Sequence, residues 1–363
     1  MSVEPAAEPL VLVRREGAIT RITLNRPRAL NALTRDMVVA VREGLLAAQQ
    51  DGSTAVLLDG AGDRGFCGGG DVKAMAGGGL EAALDFLQEE YRTDHAIHAS
   101  PVPVIGIMDG ITMGGGIGLT GHATVRVVTE RSRLAMPETR IGIVPDVGGG
   151  LLLSGSPGRL GDMLGAASGS LTAGDAIALG FADHFVPSAR LEELGGLLAE
   201  GVDPAAAIAQ VSEAAPDSEL LGAREWFDPI ADRALASDAE TIADPAAAAG
   251  RLAAALEESE DERARALAQA IRGVCPTSVA VALAQLARIR AERLDLADVL
   301  ADDYRLLGRL MARPDFAEGV RAQVIDKDGS PKWTPASLEQ LDADELSAIL
   351  DPLPAAGETL LAL

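Results

Sequence analysis

Short apolar runs alternate with segments of helical periodicity through the first half of the chain. Residues 10–27, LVLVRREGAITRITLNRP, alternate apolar and polar side chains around a glycine, which predicts a β-hairpin that ends at the proline. Residues 34–51, TRDMVVAVREGLLAAQQD, have the apolar spacing of a helix, with Thr34 as its N-cap. The apolar runs at 54–62 and 102–110 both contain or end in glycine, as buried parallel strands often do. This alternation predicts an α/β fold.

The pattern changes near residue 190, where alanine-rich segments with regularly spaced charges begin. Asp-Pro pairs at 203–204 and 244–245 are typical helix starts, with aspartate at the N-cap and proline in the first turn. Residues 277–312 predict one long helix or two in series. We therefore expect an α/β core over 1–190 and a mainly helical region over 191–363.

Composition narrows the possible partners. The 363 residues are 48% apolar, enough for a large core, and carry a net charge of −23, which opposes binding to nucleic acid or an anionic membrane. The two cysteines, Cys67 and Cys275, cannot build a disulfide framework or a thiolate metal cage. The chain starts without the basic and apolar pattern of an export or transit signal, and no apolar run is long enough to span a bilayer. These features predict a cytoplasmic protein.

A dinucleotide-binding interpretation arises from the glycines of residues 108–122, MDGITMGGGIGLTGH. Gly116, Gly118 and Gly121 have the spacing of that fingerprint and follow a predicted strand. The next predicted strand starts near Ala123, so no room remains for the crossover helix that such a fold requires. We therefore reject a nicotinamide-dependent oxidoreductase.

Two glycine-rich turns, at 65–72 (GFCGGGDV) and 114–118, each lie between a predicted strand and a predicted helix. Such turns can direct two unobstructed backbone N–H groups at one point, which is how main chain builds an oxyanion hole. Close backbone packing, or turns at positive φ, is the alternative, and spacing alone favours it.

Two carboxylates stand in the otherwise apolar segment 136–150, MPETRIGIVPDVGGG. Acidic residues are rarely buried unless they are paired or functional, so Glu138 and Asp146 are candidate members of one pocket. Two surface carboxylates on a loop, one of them paired with Arg140, are the alternative that the pattern alone favours. The four histidines lack companions for a metal set, and Cys67 lacks a partner base, so no metal site or thiol nucleophile is predicted.

Four segments in order resemble the crotonase (enoyl-CoA hydratase/isomerase) superfamily. They are ITLNRPRALNAL, GAGDRGFCGGGDV, PVIGIMDGITMGGGIGL and MPETRIGIVPDVGG. Two further segments resemble the branch of this superfamily that hydrolyses 3-hydroxyisobutyryl-CoA. They are EEY at 89–91 and FAEGVRAQVIDKDGSPKW at 316–333. The resemblance covers nearly the whole chain. It implies a ββα spiral core followed by a mainly α-helical C-terminal region.

The resemblance also implies roles for individual residues. Gly70 and Gly115 would supply the backbone N–H groups of an oxyanion hole, Glu138 and Asp146 the acid/base pair, and Glu90 a contact to the hydroxyacyl group. The implied reaction is hydrolysis of a short 3-hydroxyacyl-CoA thioester, as in valine breakdown, with CoA as part of the substrate and no metal or other cofactor. Glu138 would act as general base or as nucleophile, and sequence leaves both open.

Hydration or isomerisation of an enoyl-CoA on the same scaffold is the alternative activity. Hydratases resemble this region but carry a glutamate where this chain has Gly118, and a glycine where it has Asp146. Both departures argue against hydration. A non-catalytic acyl-CoA-binding protein is a third possibility, but such a protein would be expected to lose the acids or the glycines, and all are present.

The phosphates of CoA require cations. Arg28, which matches a basic residue of the family, is the first candidate, and Lys73, Lys327 and Lys332 are weaker ones. For each of them an ordinary solvated cation is the more common situation. Oligomeric state stays open, because members of the family form trimers or hexamers while the longer helical region of this chain can cap the core instead. A homo-oligomer is one expectation.

Overall fold

The computed structural model describes residues 8–363, in which nine strands form two sheets. The strands are β1 Val11–Glu16, β2 Ile19–Leu24, β3 Val56–Gly60, β4 Val104–Met108, β5 Ile111–Met113, β6 Val125–Val128, β7 Arg133–Ala135, β8 Ser170–Leu171 and β9 His184–Phe185. The larger sheet has the order β1-β2-β3-β4-β6-β9, and the smaller one β5-β7-β8. The hairpin predicted over 10–27 is the antiparallel pair β1-β2, and the remaining neighbours in the larger sheet are parallel.

Seventeen helices occupy the described part of the chain. They are α1 Arg35–Ala48, α2 Val72–Gly78, α3 Leu80–His98, α4 Gly115–Gly121, α5 Gly149–Ser154, α6 Leu160–Ala167, α7 Ala173–Ala178, α8 Leu191–Ala199, α9 Pro204–Val211, α10 Arg224–Leu235, α11 Asp238–Ala243, α12 Pro245–Glu257, α13 Glu262–Gly273, α14 Pro276–Glu292, α15 Leu296–Met311, α16 Pro314–Val320 and α17 Ala343–Leu350. The predicted α/β class with a helical C-terminal region is confirmed.

Local sequence signals explain where several helices begin. The Thr34 side chain accepts from the N–H of Met37 at 3.3 Å, as an N-cap does. Asp203 and Asp244 cap α9 and α12, each with proline in the first helical turn. The segment 277–312 forms two helices in series, α14 and α15, because the chain adopts a left-handed conformation at Arg293 after α14.

The parallel strands place the two glycine-rich turns side by side. The turn at 65–70 follows β3, and the turn at 114–115 follows β5, the strand that comes directly after β4 in the chain. The carboxyl ends of neighbouring parallel strands meet at one edge of a sheet, where α/β folds place their ligand sites. Two short parallel bridges fix the first turn between the loop after β2 and the smaller sheet. They pair Leu33 with Gly70 and Cys67 with Thr112.

The helical region packs on the α/β core rather than standing apart from it. A single cluster of buried side chains contains residues of β1 to β4, of α14 and of α15. Helix α14 is buried along almost its whole length, and α15 packs on α3. The division into an α/β core and a helical region at residue 190 stays a prediction. Its two parts share a core.

No single helix within residues 8–363 is long and apolar enough to cross a membrane. The pair α13 and α14 passes on length and composition only when taken together, with a bend of 111° between the two helices.

Candidate active site

A cavity of about 350 Å³ opens at the edge of the sheet where the two glycine-rich turns meet. Polar lining residues include Glu90, Glu138, Arg140 and Asp146, and the two turns contribute Gly70 and Gly115. Apolar lining residues include Phe86 of α3, which lies beside Gly70. Leu307 and Met311 of α15, with Gln323 and Val324 of the π-helical turn Arg321–Ile325, complete the lining. The helical region therefore forms part of the cavity.

The backbone amides of Gly70 and Gly115 belong to adjacent turns. A Cβ placed on Gly69 would lie 3.6 Å from the Gly115 nitrogen, so the first turn contacts the second. Gly69 itself has φ +89, which only glycine adopts readily. Over residues 8–363, neither the Gly70 nor the Gly115 N–H donates to a protein acceptor. Two adjacent unused donors at a cavity wall can serve an oxyanion.

The glycines beside the acids leave the space that the two carboxyl groups occupy. A Cβ on Gly115 would lie 2.1 Å from Oε1 of Glu90, and one on Gly114 would lie 2.9 Å from Oε1 of Glu138. Both separations are shorter than a van der Waals contact, the first by more than 1 Å. The second turn therefore lacks side chains where the two carboxyl groups approach its backbone.

Glu138 begins the short 3₁₀ turn Glu138–Ile141, which follows β7. Its side chain is 5% exposed, and its Oε2 has no hydrogen-bond partner in the described part of the chain. Burial, followed by repulsion from Asp146, raises the pKa of Glu138 well above its ordinary value. A buried carboxyl without a cation favours the protonated form.

Asp146 is 6% exposed, and its Oδ2 accepts a hydrogen bond of 2.6 Å from the hydroxyl of Tyr91. Burial raises the pKa of Asp146 to about 6, and the hydrogen bond from Tyr91 works in the opposite direction. Because Glu138 and Asp146 are both buried at the cavity, the alternative of two surface carboxylates is wrong. The expected pairing with Arg140 is not formed: the Arg140 side chain is exposed and makes no ion pair with residues 8–363.

Glu90, for which the resemblance implies a contact to the hydroxyacyl group, reaches the cavity from α3. It is 2% exposed, and its Oε1 has no partner among the described residues. Burial and then repulsion from Asp146 raise the pKa of Glu90 well above its usual range. The structure therefore brings Glu90, Glu138 and Asp146 together with the two glycine turns, while their roles stay predictions.

Two further buried acids, Asp94 and Asp303, were missed by sequence reasoning. Asp94 lies one turn after Glu90 on α3, and neither of its oxygens has a partner among the described residues. A Cβ on Gly118 would lie 2.7 Å from Oδ2 of Asp94, so this carboxyl occupies the space beside that glycine. Helical spacing from Glu90 could have indicated Asp94, whereas no local pattern points to Asp303 on α15.

None of the four predicted cations lines the cavity. Arg28 is exposed on the 3₁₀ turn Pro27–Ala29 and does not line the cavity. Lys73, Lys327 and Lys332 are exposed as well. The role of these residues toward CoA phosphates stays a prediction. Within residues 8–363, no group of three or more His, Cys, Asp or Glu side chains is arranged to hold a metal ion.

Cys67 packs inside the first glycine turn, as expected of a small buried side chain. It is fully buried, and its Sγ lies 3.3 Å from the carbonyl oxygen of Asn31. Burial raises the pKa of the Cys67 thiol to about 12, so it stays protonated at neutral pH. The structure gives this thiol no nucleophilic character.

Comparison with known proteins agrees with the motifs. A family model described as enoyl-CoA hydratase/isomerase matches residues 19–350. The chain is 36% identical over 353 residues to the chicken (Gallus gallus) protein named 3-hydroxyisobutyryl-CoA hydrolase, mitochondrial, covering 94% of this chain and 89% of that protein. The protein of the same name from Danio rerio is 38% identical, over 90% of this chain and 86% of its own length.

Solved structures extend the likeness to the whole fold. A carnitinyl-CoA dehydratase from Mycobacterium thermoresistibile superposes with a TM-score of 0.85 at 39% identity, covering 95% of this chain and 97% of the other. An enoyl-CoA hydratase from Rhodobacter sphaeroides 2.4.1 superposes with a TM-score of 0.85 at 36% identity, covering 98% of this chain and 100% of the other. The helical region is thus shared with these proteins. On sequence, motifs and fold, the chain belongs to the enoyl-CoA hydratase/isomerase family.

Proposed function

We propose that this protein hydrolyses a short 3-hydroxyacyl-CoA thioester, of which 3-hydroxyisobutyryl-CoA is the leading candidate, to the hydroxy acid and CoA. The observation that carries the proposal is Asp146, a buried carboxyl at the cavity that faces the same space as Glu138. Relatives named for hydrolysis of 3-hydroxyisobutyryl-CoA match 90% or more of the chain. A role in valine breakdown belongs to the same proposal.

The glycine turns account for stabilisation of the transition state. Attack on the thioester carbonyl places negative charge on its oxygen, and the N–H groups of Gly70 and Gly115 are free to bind it. Such donors are pre-oriented by the fold, and losing one typically costs about 3–4 kcal/mol of transition-state stabilisation.

The paired acids account for the proton transfers. Glu138 and Asp146 lie at one cavity and repel one another, so their pKa values separate and one holds a proton while the other is ionised. An ionised carboxylate can take a proton from attacking water, or attack the carbonyl itself to give an anhydride. Neither route needs a metal or redox cofactor, since all the atoms come from the thioester and water.

Several finer points belong to the proposal. Arg28 would bind phosphate groups of CoA, and Arg140 stands at the cavity mouth as a second exposed cation. The protein would act in the cytoplasm on a small-molecule substrate, without nucleic acid or membrane, although the relatives' names place those proteins in mitochondria. Assembly as a homo-oligomer is part of the same proposal.

Enoyl-CoA hydration is the second candidate, because the two solved structures compared above carry dehydratase and hydratase names. Against it stands Gly118, where the resemblance implies that a hydratase carries a glutamate. The Cβ of any side chain there would lie 2.7 Å from both Asp94 Oδ2 and Val147 Cβ. A glutamate at this position requires a rearrangement of α3 or of the loop at Val147.

A panel of CoA esters tests the proposal. Wild-type protein is assayed with 3-hydroxyisobutyryl-CoA, 3-hydroxypropionyl-CoA and crotonyl-CoA, following free thiol in one channel and loss of the enoyl absorbance in the other. We expect thiol release from the hydroxyacyl esters. Glu138→Gln should lower it by about 10²–10⁴-fold, the usual contribution of an acid/base group.

The matched control is Glu200→Gln, the same chemical change at an exposed position just after α8. It should leave the rate unchanged. Hydration of crotonyl-CoA without thiol release from any ester would replace the proposal with the second candidate. An unchanged rate in Glu138→Gln would remove Glu138 from the mechanism.

A further inference from the structure

We propose that Tyr91 is a positioning residue that makes Asp146 the ionised member of the Glu138–Asp146 pair, so that the free enzyme carries its proton on Glu138. The inference rests on the proposed function for its catalytic meaning, but the ionisation itself can be measured without substrate. It assigns to the two acids the states that sequence reasoning left open.

The contact between Tyr91 and Asp146 is short and fixed. Tyr91 is fully buried on α3, next to Glu90, and its hydroxyl donates to Oδ2 of Asp146 at 2.6 Å. Its ring packs edge-on against Tyr304 of α15, with centroids 6.4 Å apart and planes at 80°. Hydrogen bonds to a charged acceptor are stronger than those to a neutral one, so the hydroxyl favours the carboxylate form.

The loop that carries Asp146 is also held by hydrogen bonds at the two residues that follow it, Val147 and Gly148. The N–H of Gly148 donates to Oδ2 of Asp303 at 2.9 Å, and Nε2 of Gln285 donates to Oδ1 of the same carboxyl at 2.6 Å. Nε2 of His122 lies 3.1 Å from the carbonyl oxygen of Val147. With the backbone anchored at 147 and 148, the Asp146 side chain is directed toward the Tyr91 hydroxyl.

Among residues 8–363, no side chain donates a comparable hydrogen bond to Glu138. Its Oε2 is buried and unpartnered within residues 8–363, in contrast to Oδ2 of Asp146. The cost of leaving a buried carboxylate oxygen unsatisfied falls on the ionised form. When the pair holds one proton, Glu138 is the better place for it.

The other ionisable groups around Asp146 do not supply this preference. Glu90 and Asp94 on α3, Glu138, and Asp303 on α15 are all acids, and each is coupled to Asp146 by repulsion. His122 is neutral near pH 7, because burial lowers its pKa to about 4. Arg140 lies exposed at the mouth of the cavity.

This assignment orders the proton transfers of hydrolysis. Water's oxygen bonds to the thioester carbon while Asp146 takes a proton from it, and the carbonyl electron pair moves to the oxygen between Gly70 and Gly115. The C–S bond then breaks, the electron pair goes to sulfur, and sulfur takes the proton of Glu138. The new acid returns a proton to Glu138, and Asp146 releases its own to solvent.

The test is a titration of the full chain labelled with ¹³C at the carboxyl carbons of aspartate and glutamate. Asp146→Asn and Glu138→Gln identify the two resonances in wild-type protein, where Asp146 should ionise at lower pH than Glu138. Tyr91→Phe should raise the Asp146 titration midpoint by about one to two pH units. Tyr304→Phe, which removes the hydroxyl of the ring packed on Tyr91, is the matched control and should leave that midpoint in place.

Kinetics supply an independent readout. The acid limb of kcat/KM reports the free enzyme, so Tyr91→Phe should move it to higher pH by the same interval as the titration. A merely structural loss would lower the rate at every pH without moving the limb. If Tyr91→Phe fails to fold, the order of ionisation in wild-type protein still decides the matter.

Two results would overturn the inference: an unchanged Asp146 midpoint in Tyr91→Phe, or Glu138 ionising before Asp146 in wild-type protein. Failure of the proposed function looks different. In that case the wild-type protein releases no thiol from any ester, while the titrations of the two acids remain measurable.

Discussion

Two buried aspartates of this protein, Asp162 and Asp146, have opposite surroundings. Asp162 lies on α6, 1% exposed, within 3.4 Å of Arg159 and 3.2 Å of Arg290. Asp146, 6% exposed, has a tyrosine hydroxyl and no ion pair to residues 8–363. The fold thus supplies two cations to one buried acid and none to the other.

The difference separates a structural acid from a functional one. Burial raises the pKa of Asp162, and Arg290 and Arg159 counteract it, so this carboxyl is held as part of an ion-pair network. At the cavity, Glu90, Glu138 and Asp146 have no such counter-charge, and burial leaves their pKa values raised. An arginine there would fix these acids in the ionised form, which would prevent them from exchanging protons near neutral pH.

The largest expected effect on stability comes from the paired acid. Asp162→Asn should lower the free energy of unfolding by about 3 kcal/mol, because it removes the buried partner of two arginines. Both arginines keep Asp238, at 3.6 Å from Arg159 and 2.7 Å from Arg290, which limits the loss. Urea denaturation of Asp162→Asn and Asp146→Asn measures the contrast. An equal loss of unfolding free energy in the two variants would show that the paired and the unpaired aspartate do not differ in their contribution to stability.

Local signals predicted much of the fold. Apolar periodicity indicated the hairpin β1-β2 and α1, and Asp-Pro pairs located the starts of α9 and α12. The sequence does not decide between one helix and two over 277–312, because the left-handed residue between α14 and α15 is Arg293 rather than glycine. Packing of α15 on α3 could not be predicted either, since it depends on contacts between residues about two hundred positions apart.

The site was predicted in part, and mostly through resemblance. Spacing alone favoured surface positions for Glu138 and Asp146, whereas both are buried. Tyr91 belongs to the EEY motif, but nothing in the sequence shows that its hydroxyl reaches a loop fifty-five residues away. Asp303 reaches the same loop from α15, and such a contact requires the tertiary fold.

A smaller effect should come from testing how tightly the unpaired acids are packed. Gly118→Ala places a Cβ 2.7 Å from Asp94 Oδ2, and such overpacking should cost about 2 kcal/mol of stability. Gly250→Ala is the matched control, since no atom lies within 4 Å of its added Cβ and alanine favours the helix α12. Thermal melting of both variants checks this. A stabilised Gly118→Ala would mean that the acid cluster is loosely packed.

The smallest expected change, at most about 1.4 kcal/mol for each pH unit, is in the pH dependence of stability, which is also the sharpest test of the comparison. Burial, then repulsion from Glu90 and Asp146, raises the pKa of Asp94 well above its ordinary value. The folded protein therefore binds more protons than the unfolded chain once pH exceeds the unfolded pKa of aspartate, about 3.9. The stability that Asp94 contributes is complete below that pH, and is lost as pH rises toward the raised folded pKa.

Asp94→Asn removes this dependence, so its unfolding free energy should fall less steeply above pH 5 than that of wild-type protein. One such group changes the slope by at most about 1.4 kcal/mol per pH unit. Asp175→Asn is the opposite control: burial works to raise the pKa of Asp175, but hydrogen bonds from Leu220 and Thr172 outweigh it and lower that pKa. The stability from Asp175 is present above its unfolded pKa and is lost as pH falls. Urea denaturation of wild-type protein and both variants at pH 5, 6, 7 and 8 distinguishes the two kinds of acid. If the unfolding free energy of Asp94→Asn changes with pH as steeply as that of wild-type protein, Asp94 is not an unpaired buried acid.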